Sequence, residues 1–379
     1  MLEVSVIGTG LTPFGKFPDR TLGEIGWPSL RQAIQESGVK PNQIEAVYCG
    51  SALGGMLSGQ RVVKNLGVSG MPIINVENAC SSSSSALRQA WMAVASGCHD
   101  VVAVIGVEKL TKFGGGTLPL ETEDWEVRQG MVMPALYAMR AQRYMYEYGL
   151  TREQLADVSV KAHDHGALNP NAQIRKKVTR EEVMAARPVA DPFTLWHCCP
   201  SGDGAAAIII ASRNAARKLG RDTVRIAASE VTSGIFTDGY RDMTWAELTA
   251  RGAEHAYEMA GIGSKDIDVA EIHDAFTIAE LMYYEAFKFC ERGGAYSYLS
   301  SGKSSLGGET VVNPSGGLLS RGHPIGATGV AQAVEIVRQL RGEAGDHQVQ
   351  DAKVGLSHAT GGGIAGFDHG ACSIHVFVK

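Results

Sequence analysis

No apolar run in this 379-residue chain approaches the ~20 residues needed to cross a bilayer. A membrane protein is therefore not expected. The first residues carry no basic-then-apolar leader, and His375-Val376-Phe377-Val378-Lys379 is no peroxisomal tripeptide, so the expected location is cytoplasmic. Basic residues form no sustained cluster. The densest, Arg175-Lys176-Lys177 with Arg180, is short and the net charge is −5, which argues against a nucleic-acid partner. Seven scattered cysteines make no disulfide framework, and Cys198 and Cys199 are adjacent. His197-Cys198-Cys199 lacks a second ligand pair at finger spacing, so no metal is expected.

What is present describes an α/β protein. The chain is 44% hydrophobic and 20% charged, with 46 glycines that cluster at the ends of apolar runs. Glu3 to Gly8, Val101 to Glu108 and Asp203 to Ile210 read as buried strands, and Ile44 to Cys49 and Pro72 to Val76 as further strands, with helices between. From about Phe113 to Pro192 strand signals vanish and Met, Tyr, Arg and Glu fill helical-period stretches. This reads as an inserted lobe covering a site.

The second half echoes the first. Gly38-Val39-Lys40-Pro41-Asn42-Gln43-Ile44 matches Gly261-Ile262-Gly263-Ser264-Lys265-Asp266-Ile267, each after a helix and before a strand. Asn75 to Leu87, with Cys80 amid small residues, has its counterpart in Gly322 to Gly329, with His323. Duplication of one α/β unit explains both, and puts Cys80 and His323 at corresponding turns that pseudo-twofold symmetry brings face to face.

Cys80 stands where a strand gives way to a helix, whose free N–H groups and dipole favour a nucleophilic thiolate. A buried structural cysteine is the competing reading. Ser81 to Ser85 have no acid–base partner at hydrolase spacing and read as packing. Three further clusters carry histidine: His273-Asp274-Ala275-Phe276, Asn313 to Gly317 with Gly322-His323-Pro324, and Ser357-His358-Ala359-Thr360-Gly361-Gly362-Gly363.

From Val4 to Val376 these motifs resemble the thiolase superfamily. Histidine at 273 is similar to the sterol-carrier-protein-type and archaeal acetyl-CoA acetyltransferase-like subclass. The Cys-x-Gly most thiolases carry near the C-terminus is missing. The resemblance implies a duplicated five-layer α-β-α-β-α thiolase fold. Its halves would be 1–112 (with 193–218) and 219–379, with 113–192 inserted.

It further implies an acyl-CoA:CoA C-acyltransferase acting on a 3-oxoacyl-CoA through acyl-Cys80, in the cleavage or the Claisen direction. His323 would activate Cys80, and His273 would bind the enolate oxygen. The backbone of Cys80 and of Gly361, Gly362 and Gly363 would bind the other oxyanion, and His358 would replace the missing cysteine as acid/base. Met131, Met133, Tyr137, Met139, Phe236 and Tyr240 would line an acyl pocket suited to a bulky or aromatic group such as benzoylsuccinyl-CoA. At least as well, the insert's methionines and tyrosines read as helix packing. Coenzyme A enters as substrate, with no permanent cofactor. A homodimer, or a dimer of dimers, and a small zinc-ribbon/OB-fold partner are implied. Two alternatives stand: a carbon–carbon lyase using Tyr296 or Tyr298 as an acid, and a silent acyl-CoA-binding subunit.

Overall fold

The computed structural model describes residues 1–67, 70–220, 224–235, 241–362 and 370–379. Apolar runs become strands, largely buried on both faces except at the half-exposed edge strand Ile73–Val76. In the first half these are β1 (Val4–Leu11), β2 (Ala46–Gly50), β3 (Ile73–Val76), β4 (Val101–Lys109) and β5 (Asp203–Ser212). The second half supplies β6 (Val224–Thr232), β7 (Val269–Glu271), β8 (Val311–Val312), β9 (Val354–Gly361) and β10 (Ala371–Val378). Their orders are β3-β2-β4-β5-β1 and β8-β7-β9-β10-β6, which is one order written twice. Parallel and antiparallel pairings repeat as well. The two sets join edge to edge through Ser5–Arg225 and Val6–Val224.

The echoed loops fold alike. Helix α1 (Leu22–Ser37), opened by a Thr21–Glu24 capping box, ends at Gly38 with φ 71°. A 3₁₀ turn over Pro41–Gln43 then leads to β2. In the second half, a helix over Glu247–Ala260 ends at Gly261, also at φ 71°, before a 3₁₀ turn over Ser264–Asp266 and β7.

Helix α2 (Ser82–Ala95) and a helix over Thr328–Arg341 form the middle layer. One apolar core joins both to the two sheets' facing sides, a second lies under α1, and a third lies on the far side of the second sheet. That is the five-layer arrangement. The serines of α2 are buried because the layers are close: a Cβ on Gly329 would lie 2.6 Å from Ser84 Cβ, and one on Gly50 would lie 2.2 Å from Ser83 Cα.

The connection from β4 to β5, residues 110–202, is mostly helix and loop as expected, but Pro188–Ala190 and Phe193–Thr194 pair as a short antiparallel hairpin that the sequence reading did not anticipate. Its helices over Met133–Tyr148 and Arg152–Leu168 pack on the third core. Lys161 pairs there with Glu280, both buried, and Tyr144 bonds to Glu285. Among the described residues no helix is long and apolar enough to cross a membrane.

Candidate active site

The Cys80 turn is held tightly by short polar contacts. Ala79 sits at φ 47°, a left-handed conformation costing a non-glycine residue roughly 1–3 kcal/mol. Its N–H donates to Glu77 Oε1 at 2.6 Å, and its carbonyl accepts from Ser82 Oγ at 2.6 Å. Asn78 Nδ2 donates to Ser85 Oγ at 2.9 Å. The end of β9 presses on the turn: a Cβ on Gly361 would lie 2.1 Å from the Asn78 carbonyl oxygen. The N–H groups of Gly362 and of Cys80 itself are directed at the sulfur and favour its thiolate. Burial outweighs them, although the residue as a whole keeps partial exposure, and with Glu108 and Glu77 nearby pushes the thiol up to about 12. The helix start was expected to favour a thiolate; burial of the sulfur works against it and favours the thiol.

His323 lies just before the equivalent turn. Its Nδ1 is 2.7 Å from Thr328 Oγ1, whose hydroxyl in turn donates to the Pro324 carbonyl at 3.1 Å. The hydroxyl therefore accepts from Nδ1–H, which leaves Nε2 with the ring's lone pair. Burial, helped by Arg321, lowers this imidazole to about 3, so it is neutral at rest. His273 follows β7, and its ring meets His323 edge to face at 5.0 Å. Ligand atoms of Cys80, His273 and His323 all lie within 4.8 Å of one another. Residues far apart in the chain thus meet as expected.

Buried polar groups hold this cluster in place. Arg321 pairs with Glu271 at 3.0 Å. His165 accepts at Nε2 from the Leu306 N–H, so its Nδ1–H donates to the Asn313 carbonyl at 2.9 Å. The Ile272 N–H donates to Asn313 Oδ1 at 2.7 Å and fixes the segment leading to His273. Glu108, at the end of β4, accepts from the N–H groups of Ala52 (2.9 Å), Leu53 (3.1 Å) and Gly326 (3.0 Å). It clamps the His323 turn to the first half. Sequence reading overlooked Glu108; the available signal was a lone carboxylate ending the apolar run Val101–Val107.

Other candidates fall elsewhere. His358 is not brought into the cluster. Residues 357–361, expected as a turn, are the end of strand β9, and successive strand side chains face opposite ways. Ala359 and Gly361 face the Cys80 turn. His358 faces the third core, against Tyr283 at 4.6 Å and Phe287 at 5.1 Å. Its Nε2 meets Thr249 Oγ1 at 3.1 Å and its Nδ1 accepts the His273 backbone N–H at 3.4 Å. Cys372, opposite Thr360 in the ladder, is buried in that same core.

Tyr137 is buried, stacked on Phe276 at 4.5 Å, and near enough to Cys80 that a thiolate there would raise its phenol. Met131 and Met133 pack against the same core, partly buried. Met139 is 36% exposed, pointing away from that core. Gly363, Phe236, Tyr240 and His369 lie outside the described residues. Tyr296 donates to Asp157 at 2.9 Å and Tyr298 packs on Tyr284 at 5.3 Å; neither joins the cluster. Cys199, which sequence reading did not single out as a site residue, does lie near it. Its N–H donates to the Ala275 carbonyl at 2.9 Å, and burial, with Cys198, Cys80 and Asp274 nearby, raises its thiol.

Comparison with known proteins shows the family and the fold. Residues 4–214 match the profile of the thiolase N-terminal domain and residues 229–367 that of the thiolase C-terminal domain-like family. The chain is 42% identical to an acetyl-CoA acetyltransferase of Methanothermobacter thermautotrophicus, over 100% of both chains. It is 41% identical to the benzoylsuccinyl-CoA thiolase subunit BbsB of Thauera aromatica, over 95% of each. The solved Ltp2-ChsH2(DUF35) aldolase superposes with a TM-score of 0.85 at 26% identity, covering 98% of this chain and 97% of that one. Human mitochondrial 3-ketoacyl-CoA thiolase shares the fold, with a TM-score of 0.75 at 18% identity, over 100% and 99%.

Proposed function

The chain belongs to the thiolase family, and from that premise we propose how its own residues carry acyl groups to and from coenzyme A. The overall reaction is acyl transfer between an acyl-CoA and CoA. The observation that carries the reading is the meeting of Cys80, His273 and His323 within 4.8 Å. With a thiol and a neutral imidazole at rest, the charge forms when substrate arrives. Nε2 of His323 takes the Cys80 proton as sulfur bonds to the 3-keto carbon of a 3-oxoacyl-CoA. The carbon–carbon bond breaks, its electron pair passes to the thioester as an enolate, and His323 returns the proton to the enolate carbon. CoA then attacks the acyl-cysteine and its thiol proton passes through the same imidazole to Cys80. His273 steadies the enolate oxygen, and the N–H groups of Cys80 and Gly362 steady the oxyanion on the acyl carbon. His358, through the His273 backbone, acts as a positioning residue.

Tyr137, near Cys80, and Met131 and Met133, packed on the same apolar core, are the proposed lining for a bulky or aromatic acyl group, such as that of benzoylsuccinyl-CoA. Residues 1–112 with 193–218 and residues 219–379 are taken as the two thiolase halves, with 113–192 as the cover. Seven unpaired cysteines suit a reducing, cytoplasmic setting. The edge strand β3, where Ile74 is 37% exposed, is the proposed homodimer contact. One relative is named as a subunit and one neighbour as a complex with a DUF35 protein, which supports a small zinc-ribbon/OB-fold partner. The same neighbour, an aldolase, is the observation favouring the lyase alternative.

Intact-protein mass spectrometry after mixing with 3-oxoacyl-CoAs, alone and with candidate partners, tests the reading. An acyl mass gain that CoA discharges and Cys80→Ala abolishes is expected. Bound thioester with no adduct under any pairing would favour the lyase.

A further inference from the structure

The three functional side chains that meet at the two turns are also a soft-ligand set: one thiol and two imidazoles. Spacing along the chain could not reveal it, because positions 80, 273 and 323 come together only in the fold. Nitrogen and sulfur donors of this kind select zinc over the oxygen-seeking magnesium and calcium. Three protein ligands with a fourth position open is a recurrent zinc arrangement. Zn–S near 2.3 Å and Zn–N near 2.0–2.1 Å put tetrahedral ligand atoms about 3.3–3.6 Å apart. The present spread, at most 4.8 Å, closes to that with side-chain shifts of about 1 Å. The supporting contacts are in place. Thr328 holds His323 by Nδ1, so Nε2 presents its lone pair, the orientation an outer hydrogen bond gives a metal-bound histidine. Cys80 is partly exposed, which provides an approach for the ion.

We propose that Cys80, His273 and His323 bind one zinc ion reversibly, and that this ion competes with acyl-CoA for the nucleophile. Binding forms one Zn–S and two Zn–N bonds. The thiol proton leaves to solvent, and both imidazoles donate as neutral ligands without any change of oxidation state. The zinc-bound sulfur has its electron pair engaged and cannot attack a carbonyl. Free zinc would therefore act as an inhibitor of the enzyme, not as its cofactor.

The test uses the full chain alone, stripped with a chelator, so that zinc carried by a partner protein is not counted. Zinc is titrated by calorimetry, and cobalt(II) reports the ligands by its sulfur-to-metal charge-transfer band. One ion per chain and a thiolate band are expected, with Thr328→Val weakening binding about 10-fold. His273→Ala and His323→Ala should each weaken it by roughly 100-fold or more, since removing a ligand exceeds the 10–100-fold typical of its supporting contacts. Cys98→Ser, at an exposed cysteine outside the cluster, should leave binding unchanged. Cys80→Ala should lose the band. If that variant fails to fold, zinc protection of Cys80 from iodoacetamide, read as intact mass in the unaltered chain, decides the same point. No binding, binding without a thiolate band, or alkylation undiminished by zinc would each overturn the proposal. None of these outcomes bears on the acyl-adduct experiment, which is run without zinc.

Discussion

At the ends of two corresponding strands the halves place opposite residues. Pairing of Val47 with Ala103 and of Ala270 with Leu356 aligns β4 with β9, so Glu108 corresponds to Gly361 and Ile105 to His358. The turns align too: 3₁₀ segments Ala79–Ser81 and Ile325–Ala327 each precede a 14-residue helix, which makes Gly326 the counterpart of Cys80. Each strand end touches the other half's turn. In one case a carboxylate fills the space and accepts the Gly326 N–H. In the other a glycine leaves room, and the thiol stands where the first contact has a peptide group. His323 is three residues before its turn's centre, so the proposed catalytic pair is not a symmetric pair. Duplication built the scaffold, and departures from symmetry supply the chemistry.

Filling the space at Gly361 should have the largest effect. Gly361→Ala would force the Cys80 turn to move, because its Cβ would lie 2.1 Å from the Asn78 oxygen. A displacement on the order of 1 Å costs roughly 100-fold in acylation rate, and overpacking about 1–3 kcal/mol in stability. Rapid-quench acylation and denaturant unfolding measure the two. An unchanged acylation rate would show that the strand end does not position the thiol.

A smaller effect is expected at His358, the counterpart of buried Ile105. His358→Gln keeps an acceptor for the His273 N–H but cannot shuttle a proton. Turnover should stay within about 10-fold, with the loss appearing as stability through the edge contacts to Tyr283 and Phe287. General acid–base groups contribute about 10²–10⁴-fold, so a loss of that size, with stability retained, would restore His358 as the second proton carrier.

The echoed Gly38 and Gly261 loops, and the motifs at Cys80, His273 and His323, made the fold and the centre of the site readable in the sequence. They are local, and each demands small or special residues. The role of His358 was misread for a physical reason: a motif names a residue, whereas the period of the strand decides the face it takes. Leu356, His358 and Thr360 share the face toward the third core, which only the strand assignment reveals. Glu108 stands out in the sequence only as a lone carboxylate ending an apolar run; its role was not legible because its partners, Ala52, Leu53 and Gly326, come from two distant segments. The apolar residues around 131–139 show no period in the sequence that separates Met131 and Met133, packed on the third core, from the exposed Met139.

The central claim is that burial keeps both partners neutral until substrate arrives: the thiol is raised to about 12 and the imidazole lowered to about 3. Alkylation of Cys80 by iodoacetamide across pH 6–9 tests it most directly, since the thiolate is the reacting form. With the thiol pKa above this window, the thiolate fraction, and so the rate, should climb about 10-fold per pH unit without a plateau. A rate already level across that range would mean a resting thiolate–imidazolium pair, and would contradict the account.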